Sequence, residues 1–228
     1  MFSPFEVVLK CTSGLNRAPP GVFATVVPAA ALEAHEFDWL TQAEGARAAA
    51  MTRPERRAQF AAGRWLLRYA AARVFGERGY RLDFADGRPL VAAAGRGPAA
   101  VSLSHSGELV LCAAGRVQTL GVDIERIRPR GDWSALCAWT LHPLERERVE
   151  RAAEPQRWRC FYQAWTYKEA LAKALGESVF GFAFDGILVS EEGSLEQVPQ
   201  DPRLSRPDWR LCPLRVAEGF AAAVAWRA

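Results

Sequence analysis

Apolar residues around "QAWTYKEALAKALG" (163–176) recur at helical steps, with Phe161, Trp165, Lys168, Ala172 and Leu175 on one stripe. The pattern predicts a helix that follows Pro155 and ends near Gly176, with Lys168 in the middle of its apolar face and Glu169 on its shoulder. A second helix is predicted over "TRPERRAQFAAGRWLLRYAAARVFG" (52–76), where Thr52 and Glu55 have capping-box spacing and Gly76 suits a C-terminal cap. Its stripe runs Phe60, Arg64, Leu67, Ala71 and Val74, so a charged residue again interrupts an apolar face. "YRLDFADGRPLV" (80–91) reads as strand, turn, strand. "AVSLSHSGELVLCAAGRVQTLGVDIE" (100–125) reads as three short strands, broken at His105-Ser106-Gly107 and around Gly115-Arg116. A helical region holds 141–154, and "FGFAFDGILVS" (180–190) and the segment 208–228 predict further strands. The fold class is α+β. A faint echo of helix, glycine and aromatic strand between 72–84 and 173–184 permits two similar halves meeting near residues 115–120.

Length and composition narrow the class. The 228 residues suit one large domain or two small ones, with enough apolar sequence for a real core. A net charge of +3 falls short of the field expected of a dedicated nucleic-acid binder. Only three of the 29 basic residues are lysines, and two of them, Lys168 and Lys173, lie within six residues of each other. That placement suits a site needing a compact ammonium. Five scattered cysteines without a CxxC spacing read as reduced thiols. The opening "MFSPFEVVLK" lacks a leader pattern and no run approaches a membrane span, so a cytoplasmic protein is expected.

Candidate chemistry clusters in four places. In "GVDIE", strand alternation sends Asp123 and Glu125 to one face, roughly 6.5–7 Å apart by strand rise. One hard divalent cation can bridge that spacing, though a solvated sheet face fits it too. Glu169, a third carboxylate beside buried aromatics, calls for a counter-charge that a metal shared with Asp123 and Glu125 would supply. The bland alternative is an i,i+4 pair with Lys173, worth only about 0.2–0.5 kcal/mol, which leaves Lys168 unexplained unless it snorkels. "LSHSG" places Ser104, His105 and Ser106 at a strand end without the GxSxG of a nucleophile elbow. Its hydroxyl and imidazole donors suit a phosphate or a plain hydrogen-bonded turn. "DGRPL" (86–90) is a turn signal, and arginines 47, 53, 56 and 57 read as a solvated helix face, with Arg64 the exception.

Taken in order, "GRPL", "SLSHSG", "GVDIE" and "WTYKEALAKALG" resemble the larger, monomeric, surfactin-synthetase-activating class of 4′-phosphopantetheinyl transferases, over about residues 40–182. The resemblance implies two similar α+β halves, 1–117 and 118–228, related by a pseudo-twofold axis with coenzyme A in the cleft between them. It implies Mg²⁺, with Mn²⁺ as a substitute, on Asp123, Glu125 and Glu169. A carrier-protein serine attacks the β-phosphorus and adenosine 3′,5′-bisphosphate leaves. By motif position, Ser104 and His105 contact the coenzyme's phosphates, Lys173 the pyrophosphate, and Gly87, Arg88 and Pro89 the adenine. Arg64 faces the 3′-phosphate with help from Arg47, and Lys168 touches phosphate or holds Glu169. Glu169 is the expected base, with Glu125 as alternative. Partners are coenzyme A and an apo acyl or peptidyl carrier of fatty acid, polyketide or peptide synthesis, with neither nucleic acid nor membrane. Two other classes fit the same acids and arginines: a metal-dependent phosphodiesterase or nuclease, and a non-catalytic coenzyme A or carrier-protein binding module.

Overall fold

The computed structural model describes residues 5–6, 22–31, 40–85, 87–95, 97–154, 156–177, 183–198, 201–205 and 208–228. Two antiparallel sheets form its centre. One runs β1 (Phe5–Glu6), β2 (Val22–Pro28), β6 (Leu109–Gly115), β5 (Ala100–Ser106), in the order β1-β2-β6-β5. The other is β10 (Trp209–Pro213), β11 (Phe220–Arg227), β7 (Thr119–Arg126), in that order. Alternation along these strands builds a four-layer sandwich. Leu109, Leu111 and Ala113 of β6 meet Leu120, Val122 and Ile124 of β7 and Ala222, Val224 and Trp226 of β11 in a core between the sheets. Val110, Cys112 and Ala114, on the other face of β6, pack under helix α2 (Pro54–Phe75). Ala223 and Ala225 of β11 pack under helix α5 (Gln156–Leu175).

Shorter elements among the described residues include helix α1 (Gln42–Ala49), the hairpin β3 (Tyr80–Ala85) and β4 (Arg88–Ala93), helices α3 (Trp133–Thr140) and α4 (Pro143–Arg151), and the small pair β8 (Leu188–Val189) and β9 (Leu195–Gln197). The strand, turn, strand and three-strand expectations are met, as is the α5 helix; α3 adds a helix that periodicity did not flag. Two local expectations need correction. The N-cap of α2 is Arg53 with no side-chain cap bond, because Pro54 supplies a first turn that needs no donor there; capping boxes form instead at Thr41 with Glu44 and at His142 with Glu145. The stretch 180–190 lies partly outside the described residues, and the rest is a 3-10 turn at Phe184–Gly186 followed by the two-residue β8. The four described cysteines form no disulfide with one another, and three are buried. No helix among the described residues is long and apolar enough to cross a membrane.

One close approach positions everything that follows. Gly121 shares a face of β7 with Asp123 and Glu125, and a Cβ there would stand 1.9 Å from the Ala170 carbonyl oxygen and 2.6 Å from the Ala174 nitrogen. Only glycine lets α5 sit this low on the strand. The helix is buried around much of its circumference, with Phe161, Trp165, Trp133 and Trp158 forming an aromatic cluster at its first half.

Candidate active site

The edges β5 and β7 lie side by side without a backbone ladder; serine hydroxyls stitch them instead. Ser102 Oγ accepts the Val122 N–H at 3.0 Å. Ser104 Oγ donates to Asp123 Oδ1 at 2.8 Å. Ser106 Oγ donates to Glu125 Oε2 at 2.7 Å and accepts the Arg126 N–H at 3.0 Å. All three serines fall on alternate positions of β5, so a single face of that strand makes the seam.

From the helix side, Lys173 Nζ donates to Asp123 Oδ1 at 2.7 Å and to Ser104 Oγ at 2.9 Å. Asp123 is buried, and its second oxygen, Oδ2, has no hydrogen-bond partner among the described residues. Glu169, one turn before Lys173, is buried, and its carboxylate accepts no hydrogen bond among the described residues. Burial, reinforced by the negative charge of Asp123 and Glu125, pushes its carboxyl up to about 7, against a lowering by Lys173. Glu125 is raised by the same two causes, burial and then Asp123, and Ser106, Arg130 and Lys173 pull it back down.

Three carboxylates with one ammonium between them are under-neutralised. A buried orphan oxygen on Asp123 and an unbonded Glu169 are the features that a hard oxygen-seeking cation resolves, so the donor set fits one. The acids nonetheless stand as an open set: among the described residues, no three stand in a ready metal-ligand cluster. Asp123 and Glu125 are turned to Lys173 and the serines rather than to a common point.

On the far face of β5, His105 Nε2 lies 3.1 Å from Arg56 Nη1. Burial first, then the charges of Arg56 and Lys173, hold its imidazole below the ordinary range, so the neutral ring accepts from Arg56 through Nε2. Gln59 Nε2 donates to the Gly107 carbonyl at 2.7 Å and fixes the adjoining hairpin turn, where Gly107 has φ +54°. Gly87 and Arg88 are exposed beside this edge, and Pro89 pairs with Phe84 within the β3–β4 hairpin. Arg88 Nη1 donates to the Gly176 carbonyl, tying the loop to the end of α5; Asp86 lies outside the described residues.

Two expected site residues are placed differently. Lys168 is fully buried, and its Nζ donates to Glu145 Oε2 at 2.5 Å and to the Thr140 and Phe184 carbonyls at 2.9 Å each. With those three donors occupied it neither touches phosphate nor reaches Glu169; the correction is that it pins α5 to the α3–α4 corner. Arg64 is also buried, 3.4 Å from the Phe84 ring centroid, 4.7 Å from that of Phe60, and paired with Glu44 at 3.3 Å. Burial lowers its guanidinium to about 10. Arg64 therefore packs, and Arg47, exposed and 5.6 Å over the Phe60 ring, is the open cation on that side.

The model of the 4′-phosphopantetheinyl transferase superfamily matches residues 119–225, which hold β7, α5 and all three carboxylates. Over 192 residues the chain is 32% identical to the 4′-phosphopantetheinyl transferase HetI of Nostoc sp., an alignment spanning 82% of this chain and 78% of HetI. The chain belongs to the 4′-phosphopantetheinyl transferase family. This transferase is also 28% identical over 206 residues to a putative 4′-phosphopantetheinyl transferase of Synechocystis sp., covering 82% of this chain and 79% of that one. It is 34% identical over 129 residues to AcpT of Salmonella typhimurium, covering 55% of this chain and 62% of AcpT.

Four residues of the transferase's site have roles that a reading of the sequence alone does not give. Ser102 and Ser106 carry the seam, and their signal is the period-two "SLSHS" itself. Gly121 lowers α5 onto the acids, and its signal is a glycine two positions before the pair on the same strand face. Arg56 reads as one of the solvated arginines because nothing in the sequence places a histidine 49 residues away beside it.

Proposed function

We propose that this transferase moves 4′-phosphopantetheine from coenzyme A to a serine of an apo acyl or peptidyl carrier protein in an Mg²⁺-dependent reaction. The observation that carries the reading is that Asp123, Glu125 and Glu169 lie near one another and near Lys173 at the β5–β7 seam, with Asp123 Oδ2 and the Glu169 carboxylate left without donors among the described residues. The two halves are residues 1–117 and 118–228, each a sheet with one long helix on its outer face, and the coenzyme lies in the cleft along their seam. Arg47, Gly87, Arg88 and Pro89 line the adenine side; Ser104, His105 and Lys173 face the phosphates.

The chemistry follows from what each side chain can do. The serine Oγ forms a bond to the β-phosphorus, the bond from that phosphorus to the oxygen bridging to the α-phosphorus breaks, and adenosine 3′,5′-bisphosphate departs with the bond's electrons. Glu169 accepts the serine proton: in the cation-free site, burial and the charges of Asp123 and Glu125 lift its carboxyl to about 7, a higher proton affinity than an ordinary carboxylate has. Lys173, part-exposed, offsets charge gathering on the departing phosphate while Ser104 fixes its direction. Asp123, Glu125 and Glu169 would hold the cation, which supplies charge neutralisation to the diphosphate when bound. Because phosphoryl transfer rests on positioning and electrostatics, the rigidity that Gly121 and the serine seam give the acids is part of the reaction.

The deciding experiment incubates the transferase with an apo carrier protein, coenzyme A and Mg²⁺ and weighs the intact carrier. A gain of one phosphopantetheine on one serine supports the reading. An unchanged carrier across fatty-acid, polyketide and peptide carriers contradicts it.

A further inference from the structure

Helix α5 has a second working face, turned away from the acids. Gln156, Cys160, Gln163 and Tyr167 recur along it at helical steps, and Glu169, two positions past Tyr167, lies about 200° around the axis. Between this face, helix α4 and the strand β8 lies a cavity of about 270 Å³. Val149 of α4, Ala164 of α5 and Val189 of β8 give it apolar walls.

The charges in its lining do not balance. Glu145 is fully buried there, and its oxygens are taken by the Lys168 ammonium and by the His142 and Val189 N–H groups. Arg148, half-buried one turn further along α4, donates from Nη2 to the Val189 carbonyl at 2.9 Å and has no other partner among the described residues. Burial holds the Lys168 ammonium below its ordinary range; Glu145 and Asp185 oppose that, and the charge of Arg148 adds to the lowering. Glu145 is thus one carboxylate serving two cations. Arg159, exposed and also lining the cavity, has no partner among the described residues. Against these two guanidinium groups the lining offers one further carboxylate, that of the exposed Glu191.

The walls are already fixed to one another. Val189 meets α4 through both backbone groups, its N–H donating to Glu145 Oε1 at 3.0 Å and its carbonyl accepting from Arg148. Tyr167 Oη donates to the Glu191 carbonyl at 3.2 Å and closes the α5 side. A preformed cavity takes up a ligand with little ordering cost. Apolar walls beside an anchored, under-neutralised guanidinium match a molecule with an apolar body and one negative charge, and the volume limits it to about ten non-hydrogen atoms.

We propose that this cavity is a binding site for a small amphipathic monocarboxylate, its carboxylate on Arg148 and Arg159 and its apolar body between Val149, Ala164 and Val189. The cavity and the acids occupy different faces of α5, so the site fills independently of the β5–β7 seam.

The test titrates hexanoate, its neutral isostere hexanamide and inorganic phosphate into the full chain by calorimetry, with and without saturating coenzyme A. Wild type, Arg148→Gln and the cavity-filling Ala164→Leu are compared, and melting curves establish folding. One hexanoate is expected to bind per chain, with hexanamide at least about tenfold weaker, the range of one charge-assisted contact. Coenzyme A shifts the hexanoate affinity less than twofold, Arg148→Gln weakens it about tenfold, and Ala164→Leu abolishes binding. Absence of hexanoate binding, equal affinity for hexanamide, or tighter binding of phosphate overturns the proposal. Displacement of hexanoate by coenzyme A, or undiminished binding to Ala164→Leu, places the probe elsewhere and overturns it as well.

Discussion

Two lysines on one helix, Lys168 and Lys173, each pair with a carboxylate, and their surroundings are opposites. Lys168 is sealed: three acceptors take its donors, and its partner Glu145 also accepts the Val189 and His142 N–H groups. Lys173 is part-exposed, and its partner Asp123 keeps a buried oxygen without a donor while Glu169 and Glu125 crowd nearby with raised proton affinity. The satisfied pair stabilises and locates the helix. The unsatisfied set retains charge that a ligand can answer, as functional sites do.

Breaking the sealed pair is expected to give the largest effect. Lys168→Ala leaves Glu145 buried without its counter-charge and costs about 3–5 kcal/mol in chemical denaturation. Replacing both partners together with apolar residues of similar volume recovers most of that loss; a double variant as unstable as the single one would show that the pair's other hydrogen bonds dominate. Gly121→Ala comes next. A methyl group cannot fit beneath the Ala170 carbonyl, so α5 must lift, costing about 1–3 kcal/mol and reducing transfer at least tenfold even where the variant remains folded.

The open set should respond in the other direction. Glu169→Gln removes a carboxyl whose folded value, about 7, is above its ordinary value of 4.5. A carboxyl raised on folding lowers stability as pH climbs from the ordinary value through the folded one, because the native state holds the proton longer than the unfolded chain. The metal-free variant should therefore be more stable than wild type at pH 8, by on the order of 2 kcal/mol, and equal to it near pH 4, while transfer falls about a hundredfold. Thermal melts at both pH values with a carrier assay check this; equal stability at pH 8 would remove the crowding argument. The smallest effect is Ser106→Ala, about 1 kcal/mol, read as a lower denaturation midpoint with the seam otherwise intact.

Much of this contrast was legible in the chain. Strand alternation put Asp123 and Glu125 on one face, and the helical stripe identified Lys168 and Glu169 as neighbours in a buried setting. Periodicity reports which face a residue occupies and not what lies opposite, so Lys168 and Arg64 read as poised for phosphate when Glu145 and Glu44 already neutralise them. Arg56 failed in the converse way, since its partner His105 is brought beside it only when β5 packs on α2. Thr52 met the spacing for a cap and lost it to Pro54, which starts the helix without one.

The central claim is that Asp123, Glu125 and Glu169 share a negative charge that a divalent cation neutralises. Calorimetric titration of Mg²⁺ into the coenzyme-loaded transferase at pH 7, in two buffers of different ionisation heat, counts the protons displaced. The account predicts net proton release from wild type, because a carboxyl raised by burial and by Asp123 must give up its proton to bind metal, and that release disappears in Glu169→Gln. Equal proton release from the two proteins, or Mg²⁺ binding that Glu169→Gln leaves untouched, would contradict it.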